Sequence, residues 1–276
     1  MLEIPESYNI SVQVQDMLIN KTITKVSNAT SLHKFTWFSG DPNEYGKLLT
    51  GKTIQSAKGH GMFVDLYLDD DVTITIGDGT HIRYFMPYEN QPFKYQLLIT
   101  FDDNSFLVFT VAMYGSIYAY KGGLDNPYYQ KSRHSPSPLE NDFNETVYDN
   151  IFKSIQKDIS VKALLATEQR IPGLGNGVLQ DILFKSGIHP KRKISGLSDF
   201  EKGELYHNLK YTLHLMTDQG GRDTEKDLLG NFGRYKTILS KNTYKSPCPN
   251  CGSSIIKEAY LGGSIYYCPS CQEYKR

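Results

Sequence analysis

The stretch CPNCGSSIIKEAYLGGSIYYCPSC, residues 248–271, constrains this chain more than any other. It holds all four cysteines of the 276 residues. Cys248 and Cys251 form one C-x2-C pair, Cys268 and Cys271 a second, with sixteen residues between. Each pair fits a tight turn that aims two thiolates at one point, so two such turns on a hairpin make a tetrahedral four-thiolate site. Residues 254–260 and 264–267 read as its strands, and Leu261-Gly262-Gly263 as the turn between them. The rival is a pair of disulfides. It needs an oxidising compartment, and the amino terminus shows no basic-then-apolar signal segment. The spacing therefore predicts one zinc ion. With four cysteines and no open position, that ion is structural.

Charge adds a direction. Thirty basic and thirty acidic residues cancel over the whole chain, so global charge selects no partner. From residue 232 onward the balance tilts. Arg234, Lys236, Lys241, Lys245, Lys257, Lys275 and Arg276 face only Glu258 and Glu273. A basic knuckle suits a polyanion, although a solvated tail face has the same composition. No run reaches the apolar length of a membrane span. The expectation is a soluble, cytoplasmic protein.

The first half alternates like β-structure. Residues 62–68, 72–76, 95–101, 105–111 and 116–120 read as strands, with Asp69-Asp70-Asp71 and Asp102-Asp103-Asn104 as turns. Several short strands indicate a sandwich or barrel, preceded by a helix over 6–19. Ser132-Arg133-His134-Ser135-Pro136-Ser137-Pro138 reads as a linker. Helical patterns follow over 161–169 and 177–185, and a capping box at Ser198 and Glu201 opens a helix that runs to Asp218 before Gly220-Gly221. There is no internal repeat. The fold class is α+β: an N-terminal β-sandwich domain with a flanking helix (1–131), a linker (132–142), a helical domain (143–240) and a zinc-bearing β-hairpin (241–276).

Arg170-Ile171-Pro172-Gly173-Leu174-Gly175-Asn176-Gly177 lies between two of these helices. A dinucleotide loop would have to follow a strand, and this one follows a helix. Exposed amides at a helix start favour a phosphate, with Gly175 and Asn176 at that start and Lys191 and Arg192 close by. Such a turn grips a nucleic-acid backbone without reading sequence, although a plain helix-hairpin turn has the same residues. The histidines at 33, 60, 81, 134, 189, 207 and 214 show no ligand spacing. Trp37, with Phe35 and Phe38, reads as core.

In this order the features resemble the formamidopyrimidine-DNA glycosylase and endonuclease VIII family over nearly the whole chain. IPGLGNGVLQDILFKSGIHP (171–190) is similar to its helix–two-turn–helix, SPSPLENDF (135–143) to its interdomain linker and MLEIPE to its amino-terminal MPELPE. The resemblance implies damaged duplex DNA as partner, a monomer, and a flipped nucleotide attacked at C1′ by the α-amine of a proline at position 2, with glutamate at position 3 as acid/base. Such an amine, with a pKa of about 8, is partly neutral at working pH.

This chain departs from that pattern. Leu2 replaces the proline, Gly263 the hairpin arginine and Met62 a phosphate-contacting lysine. The residues that fill the space left by a flipped base become Gly79 and Ala112-Met113-Tyr114-Gly115, with only the aromatic Tyr114 kept. A large Leu2 favours retention of Met1, which moves the amine roughly 3.5 Å along the chain. Glu3, Met1, Leu2 and Glu6 are the candidate catalytic positions, and Asn176, Gly175, Lys191, Arg192 and Tyr114 the candidate DNA contacts. The implied function is a base-excision-repair glycosylase with its AP-lyase step weakened or lost. The alternative is a non-catalytic binder of damaged or unusual DNA with the same fold. The loop from Gly220 to Asp227 resembles one that can fold over the extruded base; a solvated connector is the competing reading.

Overall fold

The structure is a computed structural model and describes residues 2–31 and 33–275. Met1 and Arg276, named above, lie outside the described residues.

Helix α1 (Ile4–Leu18) starts with proline in its first turn, where a missing N–H costs nothing. It carries Ile10, Val14 and Leu18 at four-residue spacing, which makes one buried stripe. After it come β1 (Ile23–Asn28), β2 (Thr36–Phe38), α2 (Tyr45–Leu49), β3 (Ile54–His60), β4 (Phe63–Leu68), β5 (Val72–Ile76), β6 (Thr80–Phe85), β7 (Leu97–Phe101), β8 (Phe106–Val111) and β9 (Gly115–Lys121). One sheet has the order β1-β7-β8-β6, the other β2-β9-β5-β4-β3. Side chains from both sheets, Phe101 and Phe109 against Leu66 and Ile74, share one core with α1, as a sandwich requires. The aspartate-rich turns form as read: Asp70, Asp71 and Asn104 take the positive φ that Asn and Asp tolerate.

Helix α3 (Pro127–His134) continues into the segment read as linker, so Ser132, Arg133 and His134 are helical rather than extended. Asn126 caps it through a bond accepted from the Tyr129 N–H. The second core is built by α4 (Glu145–Lys153), α5 (Val161–Ala166), α6 (Asn176–Lys185) and α7 (Asp199–Asp218). The capping box at Ser198 and Glu201 is present. Strands β10 (Ile256–Tyr260) and β11 (Gly263–Tyr267) pair antiparallel around a two-residue turn, Leu261-Gly262, both at positive φ. Among the described residues no helix is long and apolar enough to cross a membrane.

The two cores meet at α1. Ile4 donates its N–H to Gly173 O (3.1 Å) and Asn9 its side-chain amide to Thr217 O (3.1 Å). The loop after α7 is no solvated connector. Its Leu228 is fully buried in the sandwich core, and Gln13 of α1 bonds both Leu228 N (2.9 Å) and Asp227 Oδ2 (2.9 Å).

Candidate active site and metal centre

Glu3 immediately precedes α1, yet the helix it caps is α6. Its two carboxylate oxygens accept from Gly177 N (2.9 Å) and Val178 N (2.8 Å). The sequence reading left those amides open for a phosphate; here the anion at that helix terminus is Glu3 itself. Glu3 is only 3 % exposed. The approach is close: a Cβ on Gly175 would lie 2.6 Å from the Glu3 carboxyl carbon, so the terminus admits this side chain only over glycine.

Arg222 completes the arrangement. It is 2 % exposed, donates to Glu6 from Nε (2.9 Å) and Nη2 (2.8 Å), and places Nη1 3.5 Å from Glu3. Two buried carboxylates thus share one guanidinium. Burial pushes the Glu3 carboxyl above its ordinary range and the neighbouring Glu6 charge adds to this, against the lowering effects of Arg222 and the two amides. Glu6, a candidate catalytic residue, is therefore held as an ion-pair partner. Sequence reading missed Arg222, because 216 positions separate it from Glu6.

Glu3 borders two cavities. One, of about 230 Å³, is lined also by Leu2, Met62, Asp78, Tyr114, Lys162 and Leu261. The other, of about 430 Å³, has His81, Met113, Arg222 and Ser264 in its wall. Asn176 lines both. A third cavity of about 440 Å³ is bounded by Ile4, Lys58, His60 and Arg133, without Glu3 in its wall.

The remaining candidates are spread unevenly. Asn176 donates to Ser264 O (2.6 Å) in the hairpin, while its buried Oδ1 has no hydrogen bond. Gly175 is the residue before α6. Lys191 pairs with Glu258. Arg192, expected to face DNA, is buried instead: it forks onto Glu201 (2.5 and 2.9 Å) and bonds Gly196 O (2.6 Å). Tyr114 donates to Asp78 (3.1 Å) at the cavity wall. Trp37 and Phe35, expected in the core, are 52 % and 49 % exposed; only Phe38 packs on it.

Cys248, Cys251, Cys268 and Cys271 are free thiols whose sulfurs all lie within 4.8 Å of one another. Cys248 to Cys271 is 3.7 Å and Cys251 to Cys268 is 3.4 Å. These distances are far beyond an S–S bond of about 2.05 Å. They match the edge of a tetrahedron with metal–sulfur distances of about 2.3 Å, roughly 3.8 Å. The four cysteines are positioned to bind a metal ion. The centre is fixed to α6: Tyr266 donates to Gln180 Oε1 (3.1 Å), and buried Gln272 bridges Cys268 N (3.0 Å) and Ile188 O (2.9 Å).

No family model matches the chain. Curated relatives match it end to end. A formamidopyrimidine-DNA glycosylase of Oceanobacillus iheyensis is 28% identical over 287 residues, covering 100% of this chain and 99% of the relative. One from Brevibacillus brevis is 25% identical over 283 residues, with 99% of each covered. Among solved structures, Lactococcus lactis Fpg in complex with abasic-site DNA gives a TM-score of 0.83 at 22% identity, over 98% of this chain and 99% of that one. The Thermus thermophilus MutM (Fpg) protein gives 0.80 at 19% identity, over 99% and 100%. Over its whole length the chain is similar to members of the formamidopyrimidine-DNA glycosylase family.

Against that family's pattern, Leu2 is buried and packed into the sandwich core. Met62, read from the sequence as standing at the position of the family lysine, borders the smaller Glu3 cavity, whereas Lys58 lines the third cavity. Arg83 donates to Asp227 O. Gly263 lies against Asn176: a Cβ there would come within 3.0 Å of Asn176 Nδ2. Gly79 is filled over in the same way, since its Cβ would lie 1.8 Å from Tyr114 O.

Proposed function

We propose that this chain binds damaged duplex DNA across the joint of its two domains and acts there as a base-excision glycosylase, with strand cleavage weak or absent. The observation that carries the reading is the buried Glu3 carboxylate between the two cavities, in a chain aligned end to end with formamidopyrimidine-DNA glycosylases. A carboxyl raised by burial exchanges its proton closer to neutral pH, which suits an acid/base. Glu3 takes a proton from the water that attacks C1′; the glycosidic bond breaks, and the base leaves with the bonding electrons and picks up a proton. Asn176, Gly175, Lys191 and Tyr114 are the proposed DNA contacts, the first two through groups other than the amides that Glu3 holds. Arg192 is withdrawn from that set. Zinc is the proposed occupant of the four-cysteine site, where it holds the hairpin rigid against α6 and takes no part in the chemistry. The protein works as a monomer, in the cytoplasm, on DNA.

One observation favours the non-catalytic reading. Leu2 is anchored by its side chain in the core where the family places its proline, so the lyase nucleophile is absent from that position. The test uses duplexes with oxidised bases or an abasic site, with borohydride to trap any Schiff base and chromatography to detect released base. Base release without trapping supports the proposal. Efficient trapping and cleavage refute the weakened lyase, and binding with neither product establishes the non-catalytic reading.

A further inference from the structure

Trp37 sits on the outer strand of the five-stranded sheet, half exposed, where an indole would ordinarily be covered. Its ring centroid lies 6.2 Å from that of Tyr114, at 54°. The pairing is set by the backbone. Strand β2 runs parallel to β9, with Trp37 opposite Ser116, and Gly115 N bonds Phe35 O (3.0 Å). Tyr114 is fixed in turn by Asp78 and by the backbone packed over Gly79. Trp37 therefore stands on β2, and Tyr114 immediately precedes β9, the strand that β2 pairs with, so both rings have little freedom to lose on binding. They are continuous with the candidate site. Tyr114 lines the smaller Glu3 cavity, and the neighbouring Met113, 66 % exposed, lines the larger. On the outer side Lys34 lies 5.4 Å over the Phe35 ring. This is an aromatic face with a cation beside it at the mouth of a cleft, the combination that stacks nucleobases while tracking a backbone.

We infer that Trp37, backed by Tyr114, is a stacking platform for a nucleobase left without its neighbour when a damaged nucleotide leaves the duplex. The inference rests on the proposed function. It assigns to Trp37 a role beyond that of the family aromatic at Tyr114. In this chain a second ring extends the apolar surface, while Gly79 offers no side chain and Met113 replaces a charged one.

The chain carries a single tryptophan, so its emission reports on Trp37 alone. Wild-type protein is titrated with a duplex holding a tetrahydrofuran abasic analogue and with the intact duplex. DNA-label anisotropy is followed in parallel. Stacking predicts strong quenching on the abasic duplex and weak quenching on the intact one. Trp37→Ala should weaken abasic-duplex binding about ten-fold, within the range for one base on an aromatic ring, and Trp37→Phe should keep most of the affinity. Anisotropy that shows binding while the emission is unchanged overturns the platform and leaves the proposed function standing; that measurement needs no variant. Equal affinity of Trp37→Ala and wild type also overturns it, as does equal loss on both duplexes. No binding by anisotropy overturns the proposed function, and the platform with it.

Discussion

Replacing Glu3 by glutamine is the natural way to remove the proposed catalytic carboxylate, and this structure predicts that it also loosens the protein. Each Glu3 oxygen accepts one backbone N–H of α6. Glutamine has one oxygen and one NH2, so one of the two amides meets a donor instead of an acceptor. A buried N–H left without a partner costs about 1–3 kcal/mol. A carboxylate at a helix N-terminus contributes up to about 2 kcal/mol in a partly buried setting, and that goes too. The change also strips Arg222 of one of its two anions. Relief from burying a charge works in the other direction. The balance is a loss of about 2–4 kcal/mol, or roughly 4–16 °C in Tm for a chain of this size. Urea unfolding by circular dichroism, with metal bound, measures it. The pair with Glu3→Asp is informative, because aspartate keeps both acceptors but reaches less far. If Glu3→Gln unfolds within about 0.5 kcal/mol of wild type, a surface-like effect, then the cap across the domain joint is not what holds it. Any kinetic deficit of Glu3→Gln must therefore be measured below its own unfolding transition.

Three further expectations come from the same geometry. Metal analysis should find one zinc per chain, and chelation should abolish DNA binding while the β-rich circular dichroism of the sandwich persists; two disulfides and no metal would refute this. Arg222→Met leaves Glu3 and Glu6 buried together without their cation, which should lower stability by roughly 3–5 kcal/mol, and a variant as stable as wild type would deny the ion triad. Burial pushes the Asp181 carboxyl up to about 6, even though it accepts from Ile238 N, Leu239 N and Tyr235 OH. A raised carboxyl favours the folded state at low pH, so its contribution is complete below about pH 4 and is lost as pH rises to about 6, on the order of 3 kcal/mol. Asp181→Asn should remove that slope from urea unfolding, and an unchanged slope in the variant would count against the assignment.

What the sequence showed, it showed through local pattern. The Ser198 capping box, the Asp102-Asp103-Asn104 turn and each C-x2-C pair lie within a few residues, the two pairs are joined by one short hairpin, and the structure forms all of them. Strands β1, β2, β3 and β6 were not legible. β2 has three residues and takes its order from a parallel partner nearly eighty positions on, which no alternation can announce. The site was legible in membership but not in wiring. Glu3 stood out by its place in MLEIPE, yet its bonds run to residues 174 and 175 positions away. Arg192 failed for the opposite reason: a cation near a helix end looks like a phosphate ligand until Glu201, supplied by the next helix, is seen to hold it. Trp37 was assigned by residue type, and its exposure depends on an edge strand that was not foreseen.

The wiring of Glu3 bears on the proposed base removal. Strand cleavage by the family route needs an amine that becomes an iminium, and therefore needs the terminus placed to within about an ångström. Here Leu2 is tied into the core by its side chain, so the backbone at position 2 is fixed for packing. Glu3 does not depend on the terminus in that way. Its carboxylate is positioned by two amides of α6 and by Arg222, which Glu6 holds, and each would stay in place whatever residue stood at position 2. A site preorganised from the far domain keeps its carboxylate when the amine is lost. Removal of a base by water asks only for such a carboxylate and a flipped sugar. Under the proposed function, base removal by water rests on Glu3, whose supports from α6 and Arg222 are in place, whereas the amine route rests on a terminus that Leu2 holds for packing.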